Sequence, residues 1–250
     1  MAAILIYNRG MLLFNLTASA ALLMLQHGGL SGRLLGWAIP SLIFILFFFG
    51  MLGTLRVSNE SRTSYSNEGF LKTGGANHSF LDSGIPPEFF WAYIYTTSPL
   101  ANLQTNIILN TPPRVNISAT AEWFNNEMLF DFISKRINGY TKKTRAGQKT
   151  IPGPFNASTV YSGSYSYLGW PGLILMAIFI LLLPLLFIRI MPASSPFFLT
   201  AFALLNTIYL FMIFENTIRF TGLSFQMVYP FLLNAGISRL PWLKRIFSLR

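Results

Sequence analysis

The chain has 250 residues, of which 52% are hydrophobic, 16% aromatic and only 10% charged, with a net charge of +10. Soluble domains carry about a quarter charged residues, so this composition points to an integral membrane protein. The basic residues mostly flank apolar runs, where anionic headgroups and the positive-inside rule account for them without nucleic acid. With no cysteine, disulfides, zinc-thiolate sites and thiol catalysis are excluded.

Residues 1–7 are apolar and are followed by Asn8-Arg9-Gly10. That opening is too short to cross hydrocarbon, which takes on the order of 20 helical residues, and it lacks the charged n-region and cleavage pattern of a signal peptide. A first span is expected over residues 11–26, with Arg9 at its entrance as either a headgroup anchor or a cation facing a ligand. The glycine-rich stretch 27–33 reads as a turn, and a second span over 34–55, kinked at Pro40, completes a helical hairpin. His27 has no second ligand at metal spacing and reads as an interfacial residue.

Between residues 56 and 169 the chain is polar. Hydrocarbon excludes unpaired backbone, so this excursion must stand in water or in a protein-lined cavity. Its run 86–103 is aromatic but interrupted by proline and polar groups, which suits the membrane-water boundary and suggests the floor of a site. Trp91, Tyr93 and Tyr95 there can stack on sugar faces or form an interfacial belt. Residues 122–136 place Trp123, Met128 and Phe132 on one side, as in an amphipathic helix lying on the membrane or on a small core of the excursion. Lys142, Lys143, Arg145 and Lys149 read as a solvated basic loop. Asn-x-Ser sequons at Asn59, Asn77, Asn116 and Asn156 do not by themselves mark glycosylation in so Asn- and Ser-rich a stretch.

A third span is expected over 171–190 and a fourth over 196–214, joined by Met191-Pro192-Ala193-Ser194-Ser195. A weaker apolar stretch, 220–237, is about long enough to be a fifth. With five spans, Arg33, Arg189, Arg239, Lys244, Arg245 and Arg250 fall on one side and Arg9, Arg56, Arg62 and Arg219 on the other, so the richer side is expected to be cytoplasmic. The expected fold is an all-α integral membrane protein of about five transmembrane helices with one large extracytoplasmic loop. It divides into a membrane hairpin (1–55), a periplasmic loop with amphipathic helices (56–169), a membrane bundle of two to three spans (170–237) and a basic cytoplasmic tail (238–250).

Several stretches carry a resemblance: Asn8-Arg9-Gly10 opening a helix, a hairpin leaving the membrane at Arg56, the run Tyr93-Ile94-Tyr95-Thr96-Thr97-Ser98-Pro99-Leu100-Ala101-Asn102-Leu103, and Asn156-Ala157-Ser158-Thr159 leading through Tyr165-Ser166-Tyr167-Leu168-Gly169-Trp170-Pro171-Gly172 into the next span. Together they resemble the C-terminal half of O-antigen polymerases, the oligosaccharide repeat-unit polymerases of bacterial envelopes. The likeness covers most of the chain in order. It departs from the family in length, since members usually have ten or more spans and the N-terminal half has no counterpart here.

The resemblance implies the C-terminal half of a GT-C-like glycosyltransferase in the bacterial inner membrane, acting in lipopolysaccharide O-antigen or related polysaccharide biosynthesis. It implies undecaprenyl-pyrophosphate-linked glycans as donor and acceptor, no metal or other cofactor, and membrane lipids, chain-length regulators and flippases as partners. Arginines at the outer helix ends would stabilise charge growing on the pyrophosphate leaving group: Arg9 first, then Arg56, with Arg62 a third candidate or an exposed loop residue. The acceptor hydroxyl needs a base or an orienting acceptor, for which His78, Asp82, Glu88 and Glu215 are candidates. Glu215 can equally be a plain ion-pair partner of Arg219, one turn on. Two other readings stand beside the polymerase: a non-enzymatic membrane component of a polysaccharide assembly or export complex, and an O-antigen ligase.

Overall fold

The computed structural model describes residues 9–26, 74–151 and 156–239 continuously, together with residues 71 and 72 and scattered helical positions between 32 and 53. His27, Arg33, Arg56, Arg62, the sequon at Asn59 and residues 240–250 lie outside the described residues. Every described element is helical: α1 (Arg9–Gln26), α2 (His78–Leu81), α3 (Glu88–Leu109), α4 (Ile117–Trp123) running into a π-helical turn (Phe124–Met128), α5 (Asp131–Thr141), α6 (Val160–Leu168), α7 (Trp170–Ile190), α8 (Phe198–Phe211), α9 (Thr221–Ser224) with a 3₁₀ turn (Phe225–Met227), and α10 (Val228–Arg239).

Short polar residues set several helix starts. Asn77 accepts from the Phe80 N–H at 3.0 Å and Asn116 from the Ala119 N–H at 2.8 Å, each satisfying a donor that the first turn leaves free. Two of the sequon asparagines are thus N-caps. α6 and α7 are separated by Gly169 alone, whose φ of +64° is a left-handed value that glycine adopts without strain.

α1 lies along α8, with the Phe14 and Phe211 rings 5.8 Å apart, and α6 lies along α7. The core they share is Phe14, Val160, Met176, Ile208, Met212 and Leu223. A second cluster, Phe187, Met191, Ala201 and Leu205, joins the far end of α7 to α8 and is flanked by Phe231 of α10. Ala119 and Trp123 of α4 pack on Tyr167 and Leu168 of α6. Phe90, Trp91 and Ile94 of α3 pack on Leu71, and Phe47 brings the helical residues of the forties to within 5.9 Å of the Phe89 ring.

The membrane topology expected from composition is corrected here. Among the described residues one helix, α7, is long and apolar enough to cross a membrane, while Leu13–Gln26 and Phe198–Phe211 are shorter apolar helices that fall below the roughly 20 residues a span needs. The stretch 220–237 is broken into α9, a 3₁₀ turn and α10. The described residues therefore do not form the five transmembrane helices of a multi-pass inner-membrane protein; the expected second span, 34–55, lies largely outside them. Within the excursion, α2 to α6 are hydrogen-bonded helices. The helix expected over 122–136 is interrupted by the π turn and by Leu129 and Phe130, which leave helical geometry before α5 begins.

Candidate functional site

The excursion is built around buried amide and hydroxyl groups. Asn102 and Asn106 stand at i and i+4 on one face of α3, and Asn110 follows as its C-cap. Asn102 donates to the Ala157 carbonyl at 2.6 Å and accepts from the Ile151 N–H at 2.7 Å. Asn106 donates to the Ser162 carbonyl at 3.0 Å and accepts from the Lys149 N–H at 2.9 Å. Asn110 donates to Ser166 Oγ at 3.0 Å. This ladder ties the extended strip around 147–151 and the start of α6 to α3, supplying partners that an irregular strip cannot supply to itself.

Beside it lies Glu127, whose side chain is 0% exposed. A buried carboxylate is tolerated only when paired and hydrogen-bonded, and three elements supply that. Arg145 Nη2 donates to Oε1 at 2.7 Å, and Asn216 Nδ2 donates to Oε2 at 3.0 Å and to the Glu127 backbone carbonyl at 2.8 Å. The third is α6, where a Cβ on Gly163 would fall 2.4 Å from Oε1, so glycine leaves the room the carboxylate occupies. The π turn that carries Glu127 is braced by α4 and α5: Asn126 donates to the Glu122 carbonyl at 2.9 Å and accepts from Ser134 at 3.1 Å and Asn138 at 2.8 Å. Single π turns recur at functional sites.

Glu127 and Arg145 line a cavity of about 560 Å³ with Ser158, Thr159, Phe211, Phe214, Glu215, Asn216, Arg219 and Phe220 among the other walls, within the range of small-ligand sites. Arg219 donates to Glu215 Oε1 at 2.5 Å, so the ion pair expected one turn apart is present. Burial, together with the nearby Arg145 charge, pushes the Arg219 guanidinium below its usual value, while Glu215 and Glu127 act against that. Asp131 anchors this wall from behind: its N–H donates to the Arg219 carbonyl at 2.8 Å, and its carboxylate accepts from the Thr221 hydroxyl and N–H. Four of the lining residues each carry a polar atom buried without a protein partner: Ser158 Oγ, Thr159 Oγ1, Asn216 Oδ1 and Arg219 Nε. Each such group costs about 1–3 kcal/mol when left unmatched.

No family model, curated protein or solved structure matches the chain. Assignment of the site therefore rests on its geometry.

That geometry does not assemble the residues expected to carry glycosyl transfer. Arg9 begins α1, with its side chain outside the described residues, as Arg56 and Arg62 are altogether. His78 is on α2 and Asp82 caps its end, both exposed, and Glu88 opens α3. Trp91 is buried against Leu71 and Phe90, with Tyr95 beside it, and Tyr93 faces outward at 58% exposure. Of the candidates for the acceptor base, Glu215 alone lines the cavity. Periplasmic glycosyl transfer by a multi-pass membrane enzyme is thus corrected: the bundle that would hold the donor lipid is replaced by one helix of sufficient length among the described residues. Nor do those residues hold any group of three or more His, Cys, Asp or Glu placed for a metal ion.

Sequence reasoning passed over Glu127, Arg145 and Asn216 and assigned Arg145 to a solvated basic run. The available signal was Glu127 itself, an acid between Trp123-Phe124 and Met128, because glutamate enters an apolar setting only with a partner.

Proposed function

We propose that the chain is a non-enzymatic membrane component that holds a polar ligand in the Glu127–Arg219 cavity, serving an envelope-polysaccharide assembly or export complex. The observation that carries the reading is the cavity of about 560 Å³, which Glu127, Arg145, Asn156, Glu215, Asn216 and Arg219 line with polar side chains from separate segments. The non-enzymatic character is supported by the state of the two cavity carboxylates. Glu127 is fully buried and accepts on both oxygens, so it does not stand free as a base, and Glu215 is ion-paired with Arg219 through one oxygen. Attachment to a membrane is supported by α7, whose Ile174, Leu181, Leu185 and Ile188 are each more than half exposed. Moving each such side chain out of water contributes about 1.5–3 kcal/mol. The polysaccharide setting is supported by the resemblance to O-antigen polymerases.

The test is ligand retention. Full-length protein is purified in mild detergent from its host, and small molecules released on denaturation are identified by mass spectrometry. Ala157→Trp, which fills the cavity, is the control. A polar compound carried by the parent chain and lost from the variant is the expected result. Equal amounts on both chains, or none on either, overturn the proposal, as does turnover of the retained compound.

A further inference from the structure

The turn that joins α3 to α4 carries apolar side chains that the fold leaves outside. Ile108 and Leu109 close α3, and Val115 and Ile117 lead into α4; each is more than half exposed, Ile117 at 90%. Single exposed apolar residues are ordinary, whereas several on one turn mark a surface that meets something other than water. The asparagine side chains of the turn are engaged: Asn110 donates to Ser166 Oγ at 3.0 Å and Asn116 accepts from the Ala119 N–H at 2.8 Å. Pro112 and Pro113 have no N–H to satisfy.

This turn is fixed beside the start of α7. A Cβ on Gly169 would fall 3.1 Å from Pro112 Cγ, the Tyr165 hydroxyl donates to the Ile107 carbonyl at 3.3 Å, and Ala119 packs with Tyr167 and Leu168. Both ends of the 108–117 segment are thus held next to Trp170, which opens α7, is 61% exposed and meets the Tyr165 ring edge-on. α7 has 21 residues, a length of about 31 Å that matches a hydrocarbon core of about 30 Å. With α7 across a bilayer, Trp170 and the turn lie at the hydrocarbon boundary, the depth at which tryptophan collects and arginine reaches headgroup phosphates. Arg114, exposed and without an ion pair among the described residues, stands within the turn.

Resting on the reading of α7 as a membrane helix, we infer that the α3–α4 turn is a second membrane contact, its apolar residues seated in the interfacial layer beside Trp170 and Arg114 meeting anionic headgroups. The occupant is a lipid surface because the turn adjoins the end of α7, whose exposed apolar side chains begin with Trp170 and Ile174, and because it carries a cation that anionic lipid can pair. The consequence is orientation. One helix alone leaves the body free to rotate about the helix axis, and a second contact fixes which side faces the membrane.

The chain has no cysteine, so a nitroxide label on a single introduced cysteine reads one position. Ile117→Cys and, in the middle of α7, Leu181→Cys replace side chains that are 90% and 73% exposed, so each labelled chain should unfold at the temperature of the parent. The full chains are placed in nanodiscs of phosphatidylcholine and phosphatidylglycerol, and label collisions are measured with oxygen, which concentrates in hydrocarbon, and with a nickel chelate, which stays in water. The expected result is a loss of nickel collisions at 117, giving an oxygen-to-nickel ratio at or above that of a lipid labelled on its headgroup and below that at 181. A ratio at 117 below the headgroup value, with 181 in hydrocarbon, overturns the second contact and leaves the membrane reading of α7 intact. Loss of both reagents at 117 assigns the patch to a protein surface and also overturns it, as does a lowered melting temperature of Ile117→Cys, which would place that side chain in packing. Free nickel access at 181 overturns both readings.

Discussion

At the scale of single residues, the strongest constraint is the charge on Glu127. Its desolvation is balanced by Arg145 and Asn216 on separate segments, so removing one partner strands a buried carboxylate. Arg145→Ala is expected to destabilise the fold by about 3–5 kcal/mol, and adding Glu127→Gln to that background to recover most of the loss. Chemical denaturation of the two variants checks this, and a double variant as unstable as the single one contradicts it. Asp131 makes a pH-dependent contribution of opposite exposure. Burial raises its carboxyl, but hydrogen bonds from Lys135 and Thr221 and the Lys135 charge outweigh it and bring it from 3.8 to about 2. A depressed carboxylate stabilises the fold above its unfolded value and loses that contribution as pH falls through the folded one. Unfolding midpoints measured between about pH 4 and pH 2 should therefore fall more steeply in the parent chain than in Asp131→Asn.

At the scale of elements, the polar faces of α3 and α6 do what apolar stripes do elsewhere. Asn106 is fully buried and bridges α6 to the 147–151 strip by three kinds of bond: to a carbonyl, to a hydroxyl and from a backbone N–H. Asn106→Ala leaves those partners unmatched at a cost of about 2–4 kcal/mol. Because the loss falls on one strip, local opening should precede global unfolding. Tryptic cleavage after Lys149 is expected to accelerate while cleavage after Lys135 does not, and uniform acceleration at both would assign the effect to the whole fold.

On the scale of the whole molecule, one long apolar helix among the described residues, α7, packs one side on a helical body that carries its own polar cavity and leaves the other side exposed. Leu181, near the middle of α7, is 73% exposed. In a bilayer, Leu181→Arg costs about 2.5–3.5 kcal/mol, so the variant should shift from the membrane pellet to the carbonate-extractable fraction. An unchanged distribution would mean that α7 meets water or protein there. α1 and α8 pack on each other through Phe14 and Phe211.

Composition and hydropathy were enough to locate α7, because a run from Trp170 to Ile190 whose one charged residue, Arg189, stands in the last turn has few alternatives to a long apolar helix. The i,i+4 pairing of Glu215 with Arg219 was legible for a similar reason, being local in sequence. Length decided against the spans expected over 196–214 and 220–237, and it depends on where helices stop: at the 3₁₀ turn after Ser224, or at Met212 where α8 ends. Those ends follow from contacts between distant segments. So does the site: Glu127 meets Arg145 across 18 residues and Asn216 across 89, separations that no periodicity encodes. Hydrophobic pattern is a property of neighbours along the chain, whereas pairing a buried charge is a property of neighbours in space, and for Glu127 only the folded structure supplies them.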